Sequence, residues 1–112
     1  MKLAILNTSI VTTDGTYTVE SITPERALSL VRWAIGPEGD GIDSAVGHPS
    51  TAQILTTLLG VEVPVSRQLF AQQVGQQAVA FKLNGRPEPG KELNQEELEE
   101  IGFTFKLLTR TA

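Results

Sequence analysis

The sequence predicts one α/β domain, bordering on α+β, in which a mixed sheet of about five strands is flanked by helices. Three observations point to this class. The chain has 112 residues, which suits one compact domain over residues 1–112 and leaves no room for a second. Short apolar runs with an alternating pattern lie between segments whose apolar residues recur at helical spacing. No internal repeat or low-complexity stretch breaks this order.

The amino-terminal residues predict strands. Residues 1–6 form a short apolar run that we interpret as the first strand. Residues 10–12 and 17–19 are runs rich in β-branched side chains on either side of residues 13–16, which contain an Asp-Gly pair. This arrangement predicts a hairpin.

Thr23 and Pro24 begin the first predicted helix. Threonine is a good N-cap, proline suits the first helical position, and apolar residues then recur at helical spacing up to Gly36. We expect the apolar face of this helix, together with Trp33, to pack on the sheet. Residues 36–41 are rich in glycine and predict a mobile loop that could act as a lid over a binding site.

Pro49 begins a second predicted helix, whose apolar residues recur until Gly60. Residues 61–65 are expected to be extended. Pro64 confines them to a sheet edge or a connection, because proline donates no ladder hydrogen bond. Residues 69–70 are predicted to continue as a strand.

The carboxyl-terminal part predicts a strand, a short acidic helix and a closing strand. Residues 79–83 alternate in the way that is typical of a strand. Asn94 and Glu97 have the spacing of a capping box, at the start of a helix that Gly102 ends. Residues 103–107 then alternate apolar with polar side chains.

The composition excludes several classes of function. The chain has no cysteine, so it offers no disulfide, no thiolate zinc ligand and no cysteine nucleophile. No apolar run approaches the ~20 residues of a membrane span, so we expect a soluble, cytoplasmic protein without a membrane partner. A formal net charge of −4 argues against duplex DNA as a partner, since duplex affinity comes from neutralising many phosphates. A small anion needs only a local cluster of cations, for which the candidates are Arg67, Lys82, Arg86 and Lys91.

The only histidine, His48, lies where an apolar segment meets the second predicted helix. Helix N-termini present unpaired backbone N–H groups and a partial positive charge, and histidine exchanges its proton near neutral pH. The junction could therefore bind an anion and hand it a proton. A histidine before a proline is also common as a plain turn or cap residue.

The residue set favours chemistry without a metal or cofactor. One histidine and no cysteine leave few metal ligands, and no Gly-x-Ser-x-Gly nucleophile elbow is present. RNA suits such a site, because its own 2′-hydroxyl can attack the adjacent phosphate. The protein then needs only to align the attack, neutralise charge and protonate the leaving 5′-oxygen.

Several segments of the chain together resemble a known family nearly from end to end. They are Asn7 after the first apolar strand, residues 45–52 with a Gly-His-x-Ser-Thr core, residues 58–64 and residues 97–102. They resemble the viral type III anti-CRISPR ring nucleases and their bacterial relatives. The resemblance implies a homodimer that binds cyclic tetra-adenylate, the second messenger of type III CRISPR immunity. It also implies metal-free cleavage of this ring to linear di-adenylates that end in 2′,3′-cyclic phosphates.

The resemblance assigns roles to single residues. It places the proton donor at His48 and a further catalytic arginine at Arg86. The family commonly has glutamate directly before Gly-Lys, whereas this chain has Pro89 there, so the corresponding acid, Glu88, is shifted by one position. Glu88 is the third catalytic candidate, which orients Arg86 or the ribose hydroxyl or else is a bystander acid. The residues expected to bind the substrate are Asn7, Gly47, Ser50, Thr51, Arg67, Lys82 and Lys91.

Two other classes of function stay open on the sequence. One is a non-catalytic protein that sequesters a cyclic or linear nucleotide, which turnover of labelled cyclic tetra-adenylate would distinguish from an enzyme. The other is a small regulator that binds DNA or a protein. No basic recognition helix or arm is visible, which argues against the DNA version.

Overall fold

The computed structural model describes residues 1–8, 11, 13–85 and 93–112. Strands and helices alternate irregularly along this part of the chain. In chain order the elements are β1 (Leu3–Leu6), β2 (Tyr17–Ile22), α1 (Pro24–Ile35), β3 (Ile42–Ser44), α2 (Pro49–Leu59), β4 (Gln77–Leu83), α3 (Gln95–Ile101) and β5 (Phe103–Arg110).

The strands form one mixed sheet in the order β2-β5-β4-β1-β3. β1 pairs in parallel with both β3 and β4, whereas β5 is antiparallel to β4 and β2 is antiparallel to β5. The predicted mixed sheet of about five strands with flanking helices is confirmed, and the fold is α+β in a single domain.

One face of the sheet carries the main core. Alternate residues of the strands point to this face and meet the buried sides of all three helices. Phe81, Phe103 and Phe105 pack together here, with ring centroids 5.4–6.0 Å apart. The buried residues of the cluster include Ile5, Val79, Phe105, Val31, Leu55 and Leu98.

The other face of the sheet carries small side chains. Ala4, Ala78 and Ala80 are buried there beside Leu6 and Leu108, with Ala45 and Phe70 partly buried against them. No helix contributes to this second cluster among the described residues. In the described chain, the residues packed against this cluster, Ala45 and Phe70, lie outside helices and strands.

The predicted helix boundaries are confirmed. The Thr23 hydroxyl accepts a hydrogen bond from the Arg26 backbone N–H at 3.1 Å at the start of α1. Asn94 and Glu97 form the capping box of α3. Gly60 ends α2 in the left-handed region with φ 69°, a conformation that favours glycine.

Two strand predictions are not met. Residues 69–70 are not in a strand. The preceding residues 64–68 bond to Ser44 and Val46 partly through side chains, without a regular ladder. The hairpin predicted for residues 10–12 falls partly outside the described residues. Val11 is not in a strand, and Tyr17–Ile22 pairs with β5. The short strand β3 was not predicted, since its Ile-Asp-Ser sequence has little strand character.

The expectation that Trp33 packs on the sheet is wrong. α1 buries Ala27, Val31 and Ala34, and Trp33 follows Val31 by two positions, about 200° around the helix. Its side chain is 64% exposed.

Residues 36–41, which could act as a lid, lie far from His48 of the same chain. The Leu3 N–H donates to the Gly41 carbonyl at 3.0 Å, and the Gly41 N–H donates to the Ala34 carbonyl at 2.8 Å. These bonds hold residues 36–41 at the start of β1 and β3. His48 follows the far end of β3, so the loop lies at the opposite end of the sheet.

We predict that Gly60→Ala lowers the free energy of unfolding by about 1–2 kcal/mol, because alanine is strained in the left-handed backbone at this helix end. No atom lies within 4 Å of the added Cβ, so a clash does not contribute. Gly60→Asn is the matched control and costs less, because asparagine tolerates this conformation. Urea unfolding measures both, and equal stability of the alanine variant and the wild type would contradict the prediction.

Candidate functional site

His48 occupies the N-cap position of α2, as the sequence predicts. Its backbone is extended (φ −116°, ψ 125°), and its side chain makes no capping hydrogen bond. The residue is exposed, and Pro49 occupies the first helical position after it. The imidazole is therefore free of a capping role at a helix start, where partial positive charge favours anions.

A connecting segment, residues 64–68, runs beside the chain that leads to His48. The Ser44 hydroxyl donates to the Pro64 carbonyl at 2.6 Å, and the Ser66 N–H donates to the Val46 carbonyl at 2.8 Å. The Gln68 side-chain amide donates to the Ser44 carbonyl at 2.7 Å. These bonds fix the 64–68 segment against the end of β3.

The 64–68 segment places Arg67 directly beside the turn before His48. Arg67 Nε donates to the Gly47 carbonyl at 2.9 Å. A Cβ added to Gly47 would lie 3.3 Å from Arg67 Cγ, so glycine gives the arginine stem room to approach. The guanidinium is exposed, and within the described residues only its Nε has a hydrogen-bond partner.

Gly47, His48 and Arg67 line an open concavity of about 490 Å³ at one end of the sheet. Asn7 comes directly after β1 and residues 45–48 come directly after β3, and these two strands are parallel. The carboxyl ends of parallel strands meet at one edge, which is where α/β proteins commonly bind ligands. The lining residues are Asn7, Ala45, Gly47, His48, Arg67, Gln68 and Leu69.

A second cavity of about 250 Å³ adjoins the first through Asn7 and contains two lysines. Lys82 lies two positions after Ala80 in β4, and so on the same face of the sheet. Lys106 of β5 is the residue paired with Ala80. Lys106 Nζ donates to the Ser21 hydroxyl at 3.0 Å. Sequence reasoning included Lys82 and missed Lys106. Alternation with the buried Phe105 indicates that Lys106 faces the other side of the sheet, but it does not indicate that β5 lies beside β4.

A third, mainly apolar cleft of about 210 Å³ shares Asn7, Ala45, Gln68 and Leu69 with the first concavity. Its other lining residues include Leu6, Tyr17, Phe70 and Gln72. Asn7 thus lines all three spaces, two of which contain cationic side chains and one of which is mainly apolar. Such a combination suits a ligand that carries both phosphates and planar bases.

The remaining predicted site residues either do not line the concavity or lie outside the described residues. Ser50 and Thr51 lie in the first turn of α2 and are not among the residues that line the concavity. Arg86, Glu88 and Lys91 lie outside the described residues. In the described ranges, no three His, Asp or Glu side chains come together in a group that could hold a metal ion.

The architecture and the site define a small α+β protein with a histidine-bearing concavity at the carboxyl ends of parallel strands. The chain belongs to the STIV B116-like family, which it matches over residues 3–105. Within the parts of the chain that the structure describes, no helix is both long and apolar enough to cross a membrane.

Relatives of the chain occur in a bacterium and in viruses. YddF of Bacillus subtilis is 36% identical over 110 residues, which are 98% of each chain. ORF117 of Acidianus two-tailed virus is 33% identical over 112 residues, covering 96% of this chain and 92% of the viral one. The structure of B116 of Sulfolobus turreted icosahedral virus has a TM-score of 0.83 at 20% identity, covering 98% of this chain and 100% of that one. This last likeness shows a shared fold.

We predict that Ser44→Ala lowers the free energy of unfolding by about 1–3 kcal/mol, because the buried Ser44 hydroxyl both donates to the Pro64 carbonyl and accepts from the buried Val46 N–H. Ser66→Ala is the matched control on the facing segment, since its hydroxyl accepts only a 3.4 Å hydrogen bond. Urea denaturation of the two variants provides the comparison. A loss in Ser66→Ala as large as that in Ser44→Ala would show that the 64–68 segment is not held by the Ser44 hydroxyl.

Proposed function

We propose that this protein is a metal-independent ring nuclease that binds cyclic tetra-adenylate between two copies of the chain and cleaves it to linear di-adenylates. The observation that carries the proposal is the meeting of His48, Arg67 and Asn7 in one concavity at the carboxyl ends of β1 and β3. The resemblance of residues 45–52 to the ring nucleases supplies the substrate.

The cleavage step balances with a single protonating residue. The ribose 2′-oxygen forms a bond to the adjacent phosphorus, and the bond from phosphorus to the 5′-oxygen breaks. His48, in its protonated form, gives a proton to the departing 5′-oxygen, while the 2′-hydroxyl proton passes to solvent. The product end is a 2′,3′-cyclic phosphate, and no oxidant or metal is consumed.

Arg67 is suited to stabilise the charge that develops on the phosphate. Its Nε is already bonded to the Gly47 carbonyl, so the guanidinium is held beside the histidine before a ligand arrives. Asn7 adds an amide between this concavity and the one that contains Lys82 and Lys106. Four phosphates can thus be met by a few local cations although the whole chain has a net charge of −4.

A two-fold dimer explains how one histidine per chain makes two cuts. A two-fold axis through a ring of four equivalent linkages presents one His48 to each of two opposite phosphodiesters, which gives two equal halves. Apolar side chains near the concavity support a partner surface. Leu69 is fully exposed, and Val65 and Val11 are 47% and 42% exposed.

The direct test is incubation of the purified protein with cyclic tetra-adenylate and cyclic hexa-adenylate in the presence of a chelator, with the products resolved by mass. We expect linear di-adenylate with a cyclic phosphate end from the smaller ring. Binding of the ring without turnover would replace the nuclease with a sequestering protein. Absence of binding would remove the proposal.

We predict that His48→Ala slows cleavage by a factor of about 10²–10⁴ and leaves ring affinity largely unchanged, because only the proton donor is lost. Single-turnover cleavage and a binding titration measure the two effects separately. Gln53→Ala, one turn further along α2, is the control and keeps full activity, since Gln53 does not line the concavity. Undiminished cleavage by the His48 variant would contradict the role of the imidazole.

We predict that Arg67→Ala and Lys106→Ala each weaken binding of cyclic tetra-adenylate about tenfold, because each removes a charge-assisted contact to phosphate. Affinity should also become less salt-dependent. Binding is measured in the His48→Ala background, so that turnover does not interfere. Arg32→Ala makes the same charge change in the last turn of α1, away from the site, and keeps the affinity. Equal losses in all three variants would point to overall charge and against specific contacts.

A further inference from the structure

A separate groove of about 660 Å³ lies at the end of the sheet opposite to His48. It is bounded by the starts of β1 and β4 and by one face of α1. The residues that matter for its chemistry are Lys2, Arg26, Ser29, Trp33, Gln77 and Thr109. Its volume falls within the range of roughly 300–1,000 Å³ that is typical of small-molecule sites.

Trp33 provides an open aromatic surface at this groove. It is the only tryptophan of the chain, and its side chain is 64% exposed. The core of α1 is complete without it, because Ala27, Val31 and Ala34 already fill the buried side of the helix. An exposed indole beside a groove is suited to stack against a planar ring.

The charges at the groove favour an anion. In the described parts of the chain, neither Lys2 nor Arg26 is in an ion pair. The acid that lines the groove, Asp40, is paired with the Met1 amino group, which holds the pKa of this carboxyl below its ordinary value. Two cations therefore remain available in a chain whose net charge is negative.

The spacing of residues on α1 sets the length of a ligand that contacts both Trp33 and the cationic side chains. Arg26, Ser29 and Trp33 follow one another at helical spacing on one face. Arg26 and Trp33 are seven positions apart, about 10 Å along the axis. A molecule that reaches both must be elongated, with an aromatic ring at one end and an anionic group at the other.

We propose that this groove binds a nucleoside phosphate, with the base stacked on Trp33 and the phosphates held by Arg26 and Lys2. Gln77 and Thr109, which are paired in the sheet, add polar groups beside the sugar. The site is independent of the proposed nuclease, since it shares no lining residue with the concavity of His48.

The test is a titration of the intrinsic tryptophan fluorescence with ADP, excited at the red edge of the indole absorption. Trp33 is the only tryptophan and it lines the groove, so a base that stacks there changes the emission of the protein. We expect saturable quenching by ADP. Adenosine has only the base and sugar, and inorganic pyrophosphate has only the phosphates. Each should therefore need at least about tenfold higher concentration than ADP for half-saturation of the groove.

Matched variants show whether the groove itself holds the nucleotide. Arg26→Ala should weaken ADP binding about tenfold. Arg32→Ala removes an arginine of the same helix that does not line the groove, and Arg67→Ala removes the cation of the other concavity. Both should leave ADP binding unchanged, whatever the result with cyclic tetra-adenylate. No saturable quenching at millimolar ADP, equal effects of Arg26→Ala and Arg32→Ala, or loss of quenching in Arg67→Ala would each overturn the proposal.

Discussion

The parallel pairing of β1 with both β3 and β4 determines where this protein can carry chemistry. All four residues of β1 are buried, so the strand contributes its side chains to the interior and presents polar groups only where it ends. Because its neighbours run in the same direction, Asn7, the turn before His48 and the end of β4 reach the same edge of the sheet. Reversing any one of these strands would scatter those residues to opposite ends.

The hydrogen bonds between the 64–68 segment and the end of β3 convert that edge into a site. This segment has no regular secondary structure, and its position depends on the Ser44 hydroxyl, the Val46 carbonyl and the amide of Gln68. Buried polar groups that are paired in this way define one arrangement of the chain, because any other leaves them without partners. Irregular chain can therefore hold Arg67 beside the turn that precedes His48.

The sequence predicts the elements whose signals are local, and it fails where tertiary contacts decide. The caps at Thr23, Asn94 and Gly60 and the alternation in β4 and β5 depend on neighbouring residues, so the helices and the two long strands could be predicted. Strand β3 and the path of residues 64–70 depend on contacts with residues that are distant in the sequence. Strand β3 was therefore not predicted, and the strand predicted for residues 69–70 is wrong.

The same division applies to the candidate site. His48 at a helix start follows from the local sequence, and the structure also places Asn7, Gly47 and Arg67 beside it. Lys106 enters the site only through the pairing of β5 with β4, which residue spacing does not specify.

The hydrogen bond that anchors Arg67 also limits how its guanidinium can meet a ligand. With Nε committed to a main-chain oxygen, the two terminal nitrogens form a planar, two-pronged donor. In the proposed complex such a donor would bind a phosphate with little loss of side-chain freedom, and a lysine could not reproduce the geometry.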